Sequence, residues 1–130
     1  EQLPPQHSSG NETILIVDDL EEQLIIGANI LNNLGYAVVT AQKSAEALNI
    51  LANQKVDLVI LDMIMPGQLD GLETYQEILK LNPTQKTIIA SGYAESERVK
   101  KMKDLGAGSY IQKPYSMDEL ARAVRTELGQ

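Results

Sequence analysis

From Thr13 onward, short apolar runs rich in β-branched residues alternate five times with longer stretches whose apolar residues recur at helical spacing. This alternation is typical of an α/β protein in which helices cover both faces of a parallel sheet. Because the runs are almost continuously apolar, we expect strands that are buried on both sides. The five predicted strands are residues 13–17, 37–40, 58–61, 87–90 and 109–111.

The intervening stretches predict five helices. Gly35 and Gly106 each follow a Leu at a predicted helix end, where glycine adopts the left-handed cap conformation without steric cost. Ser116 and Glu119 form the capping-box pattern at the start of the last helix. The apolar positions that define the helices are Leu24, Ala28 and Leu31; Ala45, Leu48 and Ala52; Leu72, Tyr75 and Leu79; Val99, Met102 and Leu105; and Leu120, Val124 and Leu128.

The length of 130 residues fits one domain. Residues 1–11 are polar and rich in Pro, Ser and Gly, so we predict a flexible linker or tail there and a folded domain over residues 12–130. Because the sequence does not begin with Met, we expect a parent chain that supplies an upstream region.

Composition disfavours several classes of function. The net charge of −7 argues against a surface that binds the phosphate backbone of nucleic acid. The chain has no Cys and a single His, His7, in the predicted linker, so a metal site must use oxygen ligands. No apolar run approaches the roughly 18 residues of a membrane span, and no secretory signal is present, so we expect a cytoplasmic location without direct membrane contact.

In doubly wound sheets the ligand site lies at the carboxyl ends of the strands. The residues at those positions are Asp18 and Asp19, Asp62, Ser91, and Lys113. Three carboxylates at one edge repel each other, so this arrangement favours binding of a divalent cation. Oxygen ligands suit Mg²⁺ (or Mn²⁺) best. Such a cation commonly bridges carboxylates to phosphate, and a carboxylate can itself form an acyl phosphate, with lysine and serine neutralising the phosphoryl oxygens.

Each of these residues also has a purely structural interpretation. Asp18 and Asp19 fit the N-cap and first turn of the following helix. Asp62, before Pro66 and Gly67, fits a turn, and Lys113 before a proline fits a turn or a solvated side chain. Their joint placement at the ends of four strands favours the functional interpretation.

Over residues 13–128 the sequence resembles the receiver domains of bacterial response regulators and hybrid sensor histidine kinases. The motifs that carry the resemblance are ILIVDD (14–19), DLVILDMIMP (57–66), DG (70–71), SGY (91–93), LGA (105–107) and YIQKPY (110–115). The resemblance implies a flavodoxin-like (βα)5 fold with a five-stranded parallel sheet in the order 2-1-3-4-5.

The resemblance also implies roles for individual residues. Asp62 would be the phosphoacceptor, and Asp19, Asp62 and the backbone carbonyl of Ile64 would ligate Mg²⁺. Asp18 would act through a metal-bound water.

Further roles concern the phosphoryl group and the switch. Lys113 would pair with the phosphoryl group, and Ser91 would donate a hydrogen bond to it. Pro114 would carry a cis peptide that places the lysine. Ser91 and Tyr110 would form the conformational switch, although Tyr110 also fits a half-buried strand residue.

Two features depart from the usual pattern. Leu20 stands where most relatives have an acid, and the loop PGQLD over residues 66–70 is one residue longer than usual. We expect phosphorylation to survive both. At positions that modulate hydrolysis in the family, the bulky Ile64 and Tyr93 should restrict the attacking water and lengthen the phosphorylated lifetime.

The resemblance therefore predicts a phosphoacceptor domain of a two-component phosphorelay that takes a phosphoryl group from a phosphohistidine. The segments ASGYAESERVKKMKDLGAGSYIQKPY (90–115) and RAVRTEL (122–128) resemble receivers at the C-terminus of hybrid sensor histidine kinases, so we expect such a parent, membrane-anchored or not, with a stand-alone regulator as the alternative. The partner would be a histidine kinase or a histidine phosphotransfer domain, in the same chain if the parent is a hybrid kinase. The domain would be a monomer or weak dimer. It would catalyse only its own phosphorylation and dephosphorylation. One alternative is a pseudo-receiver, an interaction module without phosphorylation, but such modules usually lack one of the acids or the lysine, and here all are present. Another is a phosphatase or phosphotransferase with an aspartyl nucleophile, but such enzymes usually carry a second Asp two residues after the first, where this chain has Ile64.

Overall fold

A computed structural model describes residues 12–92 and 96–129. Within them, five strands alternate with five helices along the chain. The strands are β1 (Thr13–Val17), β2 (Ala37–Ala41), β3 (Leu58–Asp62), β4 (Thr87–Ser91) and β5 (Tyr110–Gln112). The helices are α1 (Glu21–Asn33), α2 (Ser44–Asn53), α3 (Gly71–Leu81), α4 (Glu97–Asp104) and α5 (Met117–Leu128).

All strands are parallel and lie in the order β2-β1-β3-β4-β5, which confirms the predicted α/β fold and strand order. Residues 1–11, the predicted linker, lie outside the described residues. Within the described part of the chain, no helix is long and apolar enough to cross a membrane.

Two hydrophobic clusters lie on opposite faces of the sheet. Along β1, Leu15 and Val17 belong to the cluster that packs against α2, α3 and α4. Ile14 and Ile16 belong to the cluster that packs against α1 and α5. This alternation follows from the two-residue period of a strand. Because all the strands pair in parallel, their carboxyl ends lie at one edge of the sheet.

Burial on both faces is confirmed for β1, β3 and β4, but the prediction is wrong for β2 and β5. These two are the edge strands, so one side of each lacks a neighbouring strand and several of their side chains are exposed or half-buried. The apolarity of a run thus does not distinguish a central strand from an edge strand.

The predicted buried face of α2 is also wrong in part. Ala45 and Ala52 are exposed, whereas Ser44 and Ala47 are buried. Ser44 is buried because its hydroxyl group hydrogen-bonds to groups of the β3–α3 loop and α3, which helical periodicity cannot reveal.

The predicted helix ends are confirmed. Gly35 and Gly106 have φ angles of 100° and 123°, in the left-handed region that favours glycine. Ser116 and Glu119 form the expected capping box, which stabilises the start of α5 directly after the loop that carries Lys113.

Candidate functional site

The candidate site lies at the carboxyl edge of the sheet. Asp18 follows β1, Asp62 is the last residue of β3, Ser91 is the last residue of β4, and Lys113 follows β5. The strand order places β3 between β1 and β4, with β5 beyond β4. The predicted strands 58–61 and 87–90 were each one residue too short, because Asp62 and Ser91 continue the ladder of their strands.

The structure brings the three predicted acids together. One carboxylate oxygen from each of Asp18, Asp19 and Asp62 lies within 4.8 Å of the other two. Asp18 and Asp62 are only 4% and 6% exposed, whereas Asp19 is half-buried. Two of the three charges are therefore largely removed from water, which makes their mutual repulsion stronger than at an exposed surface.

Lys113 lies between two of these acids. Its Nζ is 2.6 Å from Oδ2 of Asp18 and 3.0 Å from Oδ1 of Asp62. Its backbone N–H donates to the carbonyl of Ser91 at 2.7 Å, which joins the loop after β5 to the end of β4. The Lys113–Pro114 peptide bond is cis, as predicted. Charge-assisted hydrogen bonds of this length are strong, and here they hold one lysine against two carboxylates.

The structural interpretation of Asp18 and Asp19 is wrong. The N-cap of α1 is Leu20, and the acids of its first turn are Glu21 and Glu22. Oδ1 of Asp18 instead accepts a hydrogen bond from the backbone N–H of Leu20 at 3.0 Å. Asp18 is thus held by the N–H of the N-cap residue through Oδ1 and presents Oδ2 to Lys113, without being the N-cap itself.

The electrostatics of the pocket are visible in two pKa shifts. Burial, followed by the charge of Asp18, raises the pKa of Asp62 from 3.8 to about 6, even though Lys113 acts in the opposite direction. For Lys113, burial lowers the pKa, but the hydrogen bonds and charges of Asp18 and Asp62 outweigh burial, so its pKa is raised. Lys113 therefore stays protonated, and the pocket holds more negative charge than this one lysine offsets.

The donor set fits a hard divalent cation. The cluster offers carboxylate oxygens from Asp18, Asp19 and Asp62, and within the described residues no Cys or His competes for a metal there. Mg²⁺ prefers oxygen ligands and usually binds one or two protein carboxylates together with phosphate and water. A cation would also relieve the repulsion that raises the pKa of Asp62.

The structure also places three of the other predicted site residues, Ser91, Ile64 and Tyr110. Ser91 is 3% exposed and lies on the strand next to Asp62. Ile64, two residues after Asp62, is 46% exposed. Tyr110 is half-buried at the start of β5, with Nζ of Lys103 6.0 Å from its ring centroid. Tyr93 lies outside the described residues.

Several polar side chains near the site carried no signal in the sequence. Gln42 and Gln68 hydrogen-bond between loops that flank the acidic cluster. Arg98 forms a 2.7 Å ion pair with Asp70, which joins the starts of α3 and α4. These contacts join residues more than 20 positions apart, so local sequence patterns do not predict them. The unusual length of the loop over residues 66–70 is the one sequence feature that pointed to this region.

The sequence matches the response regulator receiver domain family over residues 14–125. It is 36% identical over 118 residues to sporulation initiation phosphotransferase F of Bacillus subtilis, covering 91% of this chain and 94% of that protein. It is also 34% identical over 122 residues to the sensor kinase CckA of Brucella abortus, covering 92% of this chain but only 13% of that protein.

Solved structures give the same result. A CheY-like receiver domain protein from Methanospirillum hungatei superposes with a TM-score of 0.85 at 32% identity, covering 91% of this chain and 94% of that one. The receiver domain of NtrX from Brucella abortus gives a TM-score of 0.84 at 31% identity, covering 90% and 98%. With its pocket of Asp18, Asp19, Asp62 and Lys113, this chain belongs to the response regulator receiver domain family, the signalling modules of two-component systems.

Proposed function

We propose that Asp62 accepts a phosphoryl group from the phosphohistidine of a histidine kinase or a histidine phosphotransfer domain. The observation that carries this proposal is the position of Asp62 at the carboxyl edge of the sheet, buried beside two further acids and 3.0 Å from Nζ of Lys113. The carboxylate of Asp62 thus faces the positively charged ammonium group of Lys113. Phosphoryl transfer depends mainly on positioning and on neutralising the charge of the phosphoryl oxygens, and this ammonium group provides that neutralisation.

In the transfer, a carboxylate oxygen of Asp62 forms a bond to phosphorus as the bond between phosphorus and the imidazole nitrogen breaks. The electron pair of the broken bond goes to that nitrogen, which takes up a proton from solvent. Lys113 neutralises charge on the phosphoryl oxygens, and the hydroxyl group of Ser91 donates a hydrogen bond to one of them.

Asp19, Asp62 and the backbone carbonyl of Ile64 would hold Mg²⁺ (or Mn²⁺), with Asp18 acting through water. The cation supplies positive charge against the phosphoryl oxygens and the carboxylates. Protein groups do the remaining work: Leu20 orients Asp18 through its N–H group, and Asp18 orients Lys113.

Phosphorylation would then be read at the face formed by α4 and β5. Ser91 moves toward the phosphoryl group, and Tyr110 turns inward into the space that Ser91 vacates. This rotation would separate the Tyr110 ring from Nζ of Lys103, now 6.0 Å from its centroid. The new surface would signal to a partner protein.

We further infer a cytoplasmic domain, monomeric or weakly dimeric, that serves as the C-terminal receiver of a hybrid sensor histidine kinase. The 34% identity to part of a sensor kinase supports this parentage. A kinase reading frame directly upstream of residue 1 would support it, whereas a start codon there would indicate a separate regulator.

The phosphoacceptor proposal is tested by incubating the domain with Mg²⁺ and acetyl phosphate and measuring its intact mass. We expect the mass of one added phosphoryl group, which disappears in Asp62→Asn and when the cation is chelated. Asp104→Asn, an exposed acid at the end of α4, serves as the matched control and should retain the adduct. An adduct that persists in Asp62→Asn contradicts the assignment, and its absence in the wild type with every donor favours a pseudo-receiver.

A further inference from the structure

The loop between β3 and α3 is closed tightly at its base. The N–H of Gly71 donates to the carbonyl of Met63 at 2.8 Å. A Cβ atom on Gly71 would lie 2.8 Å from Cα of Met63, so the close approach of the two ends requires glycine. The side chain of Met65 is 2% exposed within the core. Ile64 therefore lies between two anchored residues, while the rest of the loop extends toward α2.

The far side of this loop is fastened to the start of α2. Oε1 of Gln68 accepts a hydrogen bond from the backbone N–H of Ser44 at 2.6 Å, and its Nε2 donates to the carbonyl of Gln42 at 3.3 Å. The hydroxyl of Ser44 donates to the carbonyl of Leu69 at 3.1 Å and lies 2.8 Å from the hydroxyl of Thr74. Ser44 and Thr74 are buried, so water does not compete for these hydroxyl groups.

The same β2–α2 segment contacts the loop that carries the first two acids. Nε2 of Gln42 donates to the carbonyl of Asp19 at 3.4 Å. The backbone N–H of Asp18 donates to the carbonyl of Ala41 at 3.1 Å. The N–H of Gln42 is itself held by the carboxylate of Glu46 at 3.1 Å. A continuous path of hydrogen bonds therefore runs from Asp19, through Gln42, to the β3–α3 loop.

We propose that Gln68 is a positioning residue for the metal site: through Gln42, it holds the loop that carries Ile64 at a fixed distance from the loop that carries Asp19. The inference rests on the proposed function, in which both loops supply metal ligands. Mg²⁺ requires near-ideal octahedral geometry with ligands at about 2.0–2.1 Å, so relative movement of two ligand-bearing loops weakens binding. Gln68 lies in the lengthened loop and contacts the β2–α2 segment through these two hydrogen bonds.

The test measures the affinity of the unphosphorylated domain for Mg²⁺ by calorimetric titration. We expect Gln68→Ala to raise the Kd for Mg²⁺ about tenfold, the low end of the effect of removing an outer partner of a metal ligand. The exposed Gln76→Ala, in the middle of α3, serves as the matched control and should leave the Kd unchanged. At saturating Mg²⁺, the rate of phosphorylation of Gln68→Ala by acetyl phosphate should return to within about twofold of wild type.

A purely structural role would lower the melting temperature of Gln68→Ala and leave its Kd for Mg²⁺ at the wild-type value, and that result overturns the proposal. Gln42→Ala provides a second variant, because it keeps the backbone carbonyl that Gln68 contacts but removes the donor to Asp19. If both side chains form one bridge, the double variant should bind Mg²⁺ no more weakly than the weaker single variant. Losses that multiply would show two independent effects and refute the bridge.

The outcomes also separate this inference from the proposed function. A wild-type domain that is phosphorylated on Asp62, with equal Mg²⁺ affinities in all variants, refutes the role of Gln68 alone. A wild-type domain that takes no phosphoryl group, with the predicted order of Mg²⁺ affinities, refutes the phosphoacceptor proposal and supports the role of Gln68.

Discussion

Neutralising Asp62 should make the metal-free domain more stable. Asp62 is 6% exposed, and burial together with the charge of Asp18 raises its pKa to about 6 despite the nearby Lys113. The folded domain therefore resists ionisation of this carboxyl group. Asp62→Asn replaces the carboxylate with a neutral side chain of nearly the same shape and leaves Lys113 paired with Asp18 at 2.6 Å.

The magnitude follows from the pKa shift. The pKa rises from 3.8 to about 6, and one unit corresponds to about 1.4 kcal/mol, so the ionised carboxylate of Asp62 destabilises the fold by about 3 kcal/mol at pH 8. Because the folded-state pKa lies above the unfolded one, this destabilisation is absent below the unfolded pKa and develops between about pH 4 and 6. Asp62→Asn should thus gain about 3 kcal/mol at pH 8 and under about 1 kcal/mol at pH 4.

The assay is urea unfolding of the wild type and Asp62→Asn at several pH values, without divalent cations. Only the difference between the two proteins matters, because other titrating groups affect both. Asp104→Asn controls for the loss of an exposed negative charge and should change the free energy of unfolding by less than about 0.5 kcal/mol. Added Mg²⁺ should stabilise the wild type more than Asp62→Asn and so reduce the difference at pH 8.

A difference that does not vary between pH 4 and pH 8 would refute the electrostatic argument, because an uncharged packing effect has no such dependence. A destabilised Asp62→Asn at pH 8 would show that the ion pair with Lys113 outweighs both burial and the repulsion from Asp18.

Three other predictions concern the lysine, the fold and the lifetime of the phosphorylated state. Lys113→Met leaves buried acids without their cation and should lower the free energy of unfolding at pH 8 by about 3 kcal/mol, measured in urea. Leu120→Ala removes a fully buried side chain and should cost about 2–5 kcal/mol, whereas Ser116→Ala removes only a helix cap and should cost about 1 kcal/mol by the same measurement. Ile64→Ala combined with Tyr93→Ala should shorten the phosphorylated lifetime, followed by intact mass over time; an unchanged lifetime contradicts the shielding hypothesis.

The sequence predicted the central strands well because their runs are apolar on both faces. β1 matches its prediction at both ends, and the single residues by which β3 and β4 were underestimated are Asp62 and Ser91, the polar residues of the site. Their polarity ended the apolar pattern before the strand hydrogen bonding ended. The polar side chains that give these strand ends their chemistry are thus also the reason why a prediction from apolar runs ends each strand one residue early.

The candidate site was predictable in its members but not in its contacts. Parallel strands bring their carboxyl ends together, which was enough to predict that Asp18, Asp62 and Lys113 lie at one edge. That Lys113 bonds to Asp18, 95 residues away, depends on loop geometry. The same applies to Gln42 and Gln68, whose hydrogen bonds depend on the positions of two loops.

The position of Lys113 connects the electrostatics of the pocket to Ser91, the residue proposed for the switch. In the unphosphorylated domain, this lysine bonds to both Asp18 and Asp62, and it offsets only part of their negative charge. Phosphorylation of Asp62 adds negative charge on the phosphoryl oxygens, which lie further from the carboxyl carbon than the carboxylate oxygens. The ammonium group of Lys113 is therefore attracted toward the phosphoryl group. Because the backbone N–H of Lys113 also donates to the carbonyl of Ser91, a main-chain shift that accompanied the movement of the lysine would reach the end of β4. In the proposed switch, the link from the pocket would therefore include the backbone of β4 as well as the hydroxyl group of Ser91.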